Sequence, residues 1–209
     1  LTREQVGTMI ERAKTHGAYI SYKSTAEGEE PYEINTTWWS AINMDGSTEP
    51  IALQVKRYVA SRSIALVLKG IPGIYTHGAI ALPSDHALVE KTGIKRDVNR
   101  GVIDTEIFRQ HLRQPGSKRS LLRLEQRAMS RARTRLRAMH PRGRMDVLDL
   151  SPAVFAVLRT SPEGDRHVLA ITNVCDRTID LEIPLADLGL EDTSWYDHVA
   201  DEKLRGGPE

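Results

Sequence analysis

A single cysteine, Cys175, stands in 209 residues. That excludes an intrachain disulfide framework and any zinc site built from a cysteine cluster. Cys175 falls in a β-rich stretch and reads as a small buried residue. Long hydrophobic stretches are missing as well. The runs at residues 64–68 and 153–158 are far too short to cross a bilayer. The first fourteen residues are mixed polar, without the apolar core of an export signal. No initiator Met precedes Leu1, so a longer polypeptide is expected. Nor is there a G-x-G-x-x-G, a phosphate-binding P-loop or a G-x-S-x-G. None of the seven histidines, His16, His77, His86, His111, His140, His167 and His198, shows a metal-ligand spacing. No cofactor is expected on these grounds.

The net charge is only +1, which disfavours a strongly basic nucleic-acid binder as a global description. Its distribution is uneven. Residues 1–112 carry 13 basic and 13 acidic side chains, residues 113–144 carry 11 and one, and residues 145–209 carry 5 and 14. A boundary near Pro141-Arg142-Gly143 follows, and the basic and acidic segments are expected to attract each other. Arg119, Arg123, Arg127, Arg131 and Arg135 recur every four residues. That stripe could meet phosphate backbones, but no stacking aromatics or recognition motif accompany it. Leu122, Met129, Leu136 and Met139 would bury the opposite face. A solvated helix face is therefore the preferred reading, with no nucleic-acid partner and no membrane.

Forty per cent of the residues are hydrophobic and 27% charged, enough for a sizeable core. Thr2 and Gln5 have capping-box spacing, and Val6, Met9, Ile10 and Ala13 line one face of a helix over 2–14. Residues 15–30, polar and holding Gly17 and Gly28, read as a long loop. Residues 31–35 read as extended, and Trp38-Trp39 as a short helix used for packing. A helix follows from Pro50 to about Leu68, its second half apolar all round and so buried on several sides. After Gly70 and Pro72, residues 73–76 suggest a short strand. Helices are expected over 84–90, 104–112 and from 117 to about 140. Beyond them, 145–150, 154–160, 167–174 and 178–183 read as strands, as does Trp195-Tyr196. The run Gly206-Gly207-Pro208-Glu209 gives the end an unfinished look.

Candidate ligand contacts cluster in the connections. His16, beside Gly17, is either a loop ligand contact or an ordinary surface histidine. Tyr19, Tyr22 and Lys23 could offer rings to a sugar face and a cation to an anion, or simply form a polar loop. Tyr32-Glu33 closes that segment. Arg96-Asp97-Val98-Asn99-Arg100 is dense in donors and acceptors. For Arg100 a structural ion pair is the preferred reading.

Three stretches carry a resemblance: Pro31-Tyr32-Glu33-Ile34-Asn35, Lys69-Gly70-Ile71-Pro72-Gly73-Ile74-Tyr75 and Arg96-Asp97-Val98-Asn99-Arg100. Their order and spacing are similar to the sucrose-phosphorylase-like branch of the α-amylase superfamily (glycoside hydrolase family 13), over residues 2 to about 204. The resemblance implies α/β architecture: residues 1–141 as the C-terminal part of a (β/α)8 barrel, and residues 142–209 as an incomplete antiparallel β domain. It implies a retaining phosphorylase acting on a small α-glucoside and inorganic phosphate to give α-glucose 1-phosphate. The family carboxylates would lie upstream of Leu1, in a missing N-terminal barrel half. Asp85-His86 and Asp197-His198 reverse the family's His-Asp order, so no catalytic residue is assigned and the chain alone is expected to be inactive. The implied binding residues are Arg96 for glucose, Tyr32 and Glu33 on the acceptor side, and His16 and Lys23 for phosphate or an acceptor carboxylate. The loop pattern looks more like the glucosylglycerate type than the sucrose type. A binding remnant and a hydrolase of the same superfamily remain alternatives. A cytoplasmic location is inferred from the intracellular occurrence of glucose 1-phosphate.

Overall fold

The capping box sets the first helix. The Thr2 hydroxyl accepts from the Gln5 N–H at 3.1 Å and the Gln5 side chain accepts from the Thr2 N–H at 2.8 Å. They open α1 (Arg3–Thr15), which buries Ile10. The computed structural model describes residues 1–190 and 194–204. Residues 15–30, expected to be a loop, instead join the extended 31–35 in a hairpin, β1 (Tyr19–Thr25) and β2 (Gly28–Asn35), paired antiparallel. Ala26 and Glu27 make the turn, and Gly28 has φ +120 there, a conformation open to glycine. Polar side chains on both faces hid the strands, because only Ile20 of β1 is buried.

The short α2 (Trp38–Ile42) divides the two tryptophans: Trp39 is buried and Trp38 is half exposed. Next comes α3 (Ile51–Val67), packed through Val55 and Tyr58. Its second half is not buried all round. Ala65 and Leu68 are exposed while Ile64, Leu66 and Val67 are half-buried, so none of these five residues is fully buried. Residues 73–75 form no strand; α4 (Thr76–Ala79) begins directly after them. An extended stretch becomes a strand only when a ladder partner lies beside it, and none of the described residues supplies one. Then follow α5 (His86–Thr92), a 3-10 turn (Lys95–Asn99), α6 (Thr105–Arg113) and α7 (Lys118–Arg135). The last stops before residue 140, where a second 3-10 turn (Arg137–Met139) intervenes. Leu122, Met129 and Met139 are buried, as the helical spacing implied, while Arg123, Arg127, Arg131 and Arg135 are exposed.

The remaining strands are β3 (Arg144–Leu148), β4 (Val154–Thr160) and β5 (His167–Asn173), an antiparallel sheet with β4 central. Four successive residues of β4, 156–159, are buried, so both of its faces are covered. Residues 178–183 alternate as a strand would, with Ile179, Leu181 and Ile183 half-buried between exposed neighbours, yet pair with nothing described. A last small ladder joins β6 (Trp195–Asp197) to β7 (Glu202–Leu204). Cys175 is exposed, not buried. It lies in the bend after β5, where its N–H donates to the Asn173 side chain at 2.9 Å. The run 206–209 lies outside the described residues.

By compactness the chain divides into Leu1–Tyr58 with Gly73–Leu121, and Val59–Pro72 with Leu122–Glu209. The first unit holds the hairpin and the 3-10 turn after α5. The second holds the three-stranded sheet. Every strand pairing described is antiparallel, and no helix among the described residues is long and apolar enough to cross a membrane.

Candidate functional site

In a regular strand, neighbouring residues point to opposite faces. Tyr32 and Glu33 escape that rule. Opposite Ser21-Tyr22 of β1 stand Glu33 and Pro31, so Tyr32 is an extra residue in β2. Pro31 has no N–H to give to the ladder, and such positions favour a bulge. The bulge lets both side chains reach one guanidinium. Arg96 Nε lies 2.9 and 3.1 Å from the two Glu33 carboxylate oxygens, and the far end of the same guanidinium donates to the Tyr32 hydroxyl at 2.9 Å. Hydrogen bonding to Glu33, then the Glu33 charge and Tyr32, holds the Arg96 pKa above the ordinary guanidinium value. Arg96 and Tyr32 are exposed and Glu33 is half-buried, so the group meets solvent with a cation, an anion and a phenol side by side.

The 3-10 turn that carries Arg96 is anchored on either side of it. Val98 is fully buried and its carbonyl accepts from the Asp85 N–H at 2.8 Å. Asp97, buried, takes an ion pair from Arg100 at 2.9 Å, the structural role read for Arg100 from the sequence. Lys95 reaches the Ile20 carbonyl of β1 at 2.7 Å. Adjacent residues of one turn therefore hold both strands, Lys95 through β1 and Arg96 through β2. At the hairpin base, buried Asn35 donates to the Tyr19 carbonyl at 3.1 Å and the Ser21 hydroxyl at 2.9 Å.

The other two candidates lie elsewhere. His16 caps the end of α1 and its Nδ1 contacts the Ser40 carbonyl of α2 at 3.2 Å. Lys23 is exposed on β1, across the ladder from Glu30. Neither touches the Arg96 group. Sequence reasoning passed over Lys95 and Lys118. Lys118 donates to the Ala81 carbonyl at 2.9 Å and sits 4.2 Å from the centre of the Trp39 ring. Burial, then repulsion by Arg119, lowers its pKa to about 8 against an opposing pull from Asp45. Position next to Arg96 was the one available signal for Lys95. Lys118 reads in sequence as one more member of the basic helix.

No protein-family profile matches the chain. Curated relatives do. A glucosylglycerate phosphorylase of Spirochaeta thermophila is 40% identical over 174 residues, which is 83% of this chain and 29% of that protein. One of Allomeiothermus silvanus is 33% identical over 177 residues, 85% of this chain and 31% of its own length. Among solved structures, sucrose 6F-phosphate phosphorylase from Thermoanaerobacter thermosaccharolyticum superposes with a TM-score of 0.65 at 20% identity, over 83% of this chain and 32% of that one. The last match concerns fold alone. The chain thus spans about three-tenths of the length of these relatives. Its motifs and its similarity to these relatives agree, and the chain belongs to the glucosylglycerate and sucrose phosphorylase family, the sucrose-phosphorylase-like branch of glycoside hydrolase family 13.

Proposed function

We propose that this chain supplies the glucose- and acceptor-binding loops of a retaining α-glucoside phosphorylase. The enzyme cleaves a small α-glucoside, glucosylglycerate in preference to sucrose, with phosphate and releases α-glucose 1-phosphate. The observation that carries the reading is the Arg96–Glu33–Tyr32 group. Two sequence motifs 63 residues apart meet there, and both belong to the resemblance. A guanidinium fork suits vicinal sugar hydroxyls, a carboxylate accepts from a hydroxyl, and a phenol does either. Arg96 would bind the glucose next to the scissile bond, and Tyr32 and Glu33 the acceptor. His16 and Lys23 would serve phosphate or the glycerate carboxylate, from their own places on α1 and β1.

The catalytic pair, an attacking carboxylate and a second carboxyl group as acid, would come from the rest of the same polypeptide, the N-terminal barrel half. Residues 1–141 would complete that barrel and 142–209 would form the β domain. The chain alone would then bind sugar without turning it over. A cytoplasmic enzyme is expected, because its product is an intracellular metabolite.

The test uses the full-length polypeptide with glucosylglycerate or sucrose, with and without phosphate. Phosphate-dependent glucose 1-phosphate is expected, with glucosylglycerate the better substrate. Arg96→Ala should lower kcat/KM by at least about 100-fold, the loss of a charge-assisted contact to the reacting sugar. Free glucose at a rate indifferent to phosphate would make the protein a hydrolase and overturn the proposal. An unchanged Arg96→Ala variant would remove the site.

A further inference from the structure

A two-stranded hairpin with polar side chains on both faces has little of its own to fix its register. Of β1 only Ile20 is buried, and of β2 only Asn35. Yet the Arg96 group needs one register, because a slip of one residue turns a side chain to the opposite face. What fixes the register must come from outside the ladder. Two contacts at the base do part of this. The Tyr19 hydroxyl lies 3.1 Å from Nδ1 of His86, whose Nε2 faces Asp45 Oδ2 at 3.7 Å; that seats the start of β1 alone. Asn35 joins the strand ends to each other. Lys95 differs from both. Its amine donates to the Ile20 carbonyl at 2.7 Å, from the same 3-10 turn that carries Arg96.

Ile20 pairs with Ile34 and Ser21 with Glu33, and the shift that makes Tyr32 the extra residue follows directly, between Ser21 and Tyr22. Lys95 therefore grips β1 next to the residue that faces Glu33. We propose that Lys95 is a positioning residue: it pins β1 at Ile20 to the turn that carries Arg96, and so holds the bulge where Tyr32 and Glu33 both meet that guanidinium. Without the pin β1 can slide against β2, the bulge moves along the ladder, and Arg96 loses one of its two partners.

The chemistry of Lys95 suits that task. It is exposed, and among the described residues its amine makes no ion pair; the hydrogen bond it makes goes to the backbone of β1. A compact cation on a long stem reaches a carbonyl that a shorter side chain would miss. The turn behind it is firm, with Asp97 and Val98 buried. Lys91, on α5, is exposed and carries the same charge, but its amine makes no hydrogen bond or ion pair among the described residues. It separates the effect of the charge from that of the contact.

Hydrogen exchange of peptides covering 19–35 in the full-length polypeptide tests the pin. Lys95→Met should lower their protection about threefold to tenfold, the scale of one hydrogen bond's net contribution. Lys95→Arg keeps a donor of similar reach and should retain the protection, and Lys91→Met should leave it unchanged. Peptides covering 51–58, around buried Val55 and Tyr58, should stay protected in every variant. A Lys95→Met hairpin as protected as the parent's overturns the proposal. So does an equal loss in Lys91→Met, a loss that persists in Lys95→Arg, or one that spreads to 51–58. A kinetic consequence rests on the phosphorylase reading: in Lys95→Met the acceptor KM should rise about fivefold or more while kcat changes less than about twofold, and Lys95→Arg should recover it. A fall in kcat at unchanged acceptor KM would overturn the positioning role. The exchange measurement does not depend on activity, so the pin and the phosphorylase reading can fail separately.

Discussion

Arg96 and Arg159 are the same residue put to opposite uses. Arg159 stands in the buried centre of β4 with no exposed surface. Each end of its fork is committed: to the Arg144 carbonyl at 3.2 Å, the Val67 carbonyl at 2.8 Å and the His140 carbonyl at 3.0 Å. Arg133 does likewise, reaching the carbonyls of Leu66 and Gly70. Together they satisfy carbonyls at the C-terminal end of α3, which no helical N–H can reach, and a cation there also suits the helix dipole. Desolvation lowers the pKa of both arginines, and for Arg159 the nearby Arg133 adds to it. Arg96 sits on a short turn, half in solvent, sharing its fork with an acid and a phenol. Donors spent on backbone carbonyls hold a fold; donors shared with exposed side chains remain available to a ligand.

Breaking the committed set should have the largest effect. Arg159→Met removes a donor from the Arg144 and Val67 carbonyls and one of the two donors on the His140 carbonyl, which also accepts from the Gly143 N–H, and should lower stability by about 3 kcal/mol or more in chemical denaturation. Gly143 tests the same neighbourhood from the other side. A Cβ there would lie 2.4 Å from the Thr160 carbonyl, 3.1 Å from that of His140 and 3.2 Å from that of Ala138. All three are backbone, so Gly143→Ala should cost about 2–4 kcal/mol.

Lys118 is intermediate between the two arginines, packed over Trp39 yet titratable, and it gives a pH signature. The unfolded chain keeps that proton up to about 10.5, the folded one only to about 8. Between these values the unfolded chain binds more protons, so stability rises with pH there, and below that window the buried cation costs stability. The rise should amount to about 1–2 kcal/mol once partial solvent contact is allowed for, and Lys118→Met should lack it when denaturation midpoints at pH 8 and pH 10 are compared. The smallest effect belongs to Arg96→Lys. An exposed ion pair contributes little, so the denaturation midpoint should stay close to that of the parent chain. A loss comparable to that of Arg159→Met would erase the distinction between the two arginines.

Much of this was legible in the sequence where the signal is local. The Thr2–Gln5 box and the 3.6-residue spacing in α1 and α7 need no partner to be recognised. The motifs holding Tyr32, Glu33 and Arg96 were read as separate binding elements, and the structure brings them into contact. What escaped depends on a neighbour. The hairpin lacks an apolar face, so β1 and the start of β2 looked like loop and only 31–35 read as extended. Residues 73–75 and 178–183 have strand composition and nothing described to pair with. Arg159 looks like any polar residue in a strand until both faces of β4 are covered, and the His86–Asp45 contact joins residues 41 positions apart with no shared motif.

The extra residue at Tyr32 makes chain length part of the recognition chemistry. Substitutions around it can retune what the group binds, one side chain at a time. Deleting a single residue of β2 other than these two would restore an unbroken ladder and send Tyr32 and Glu33 to opposite faces, leaving Arg96 with one partner although all three side chains of the group are still present. Variation in this hairpin should therefore favour changes of letter over changes of length, or gains and losses that cancel in pairs, and a designer wishing to move the site should edit the count before the composition.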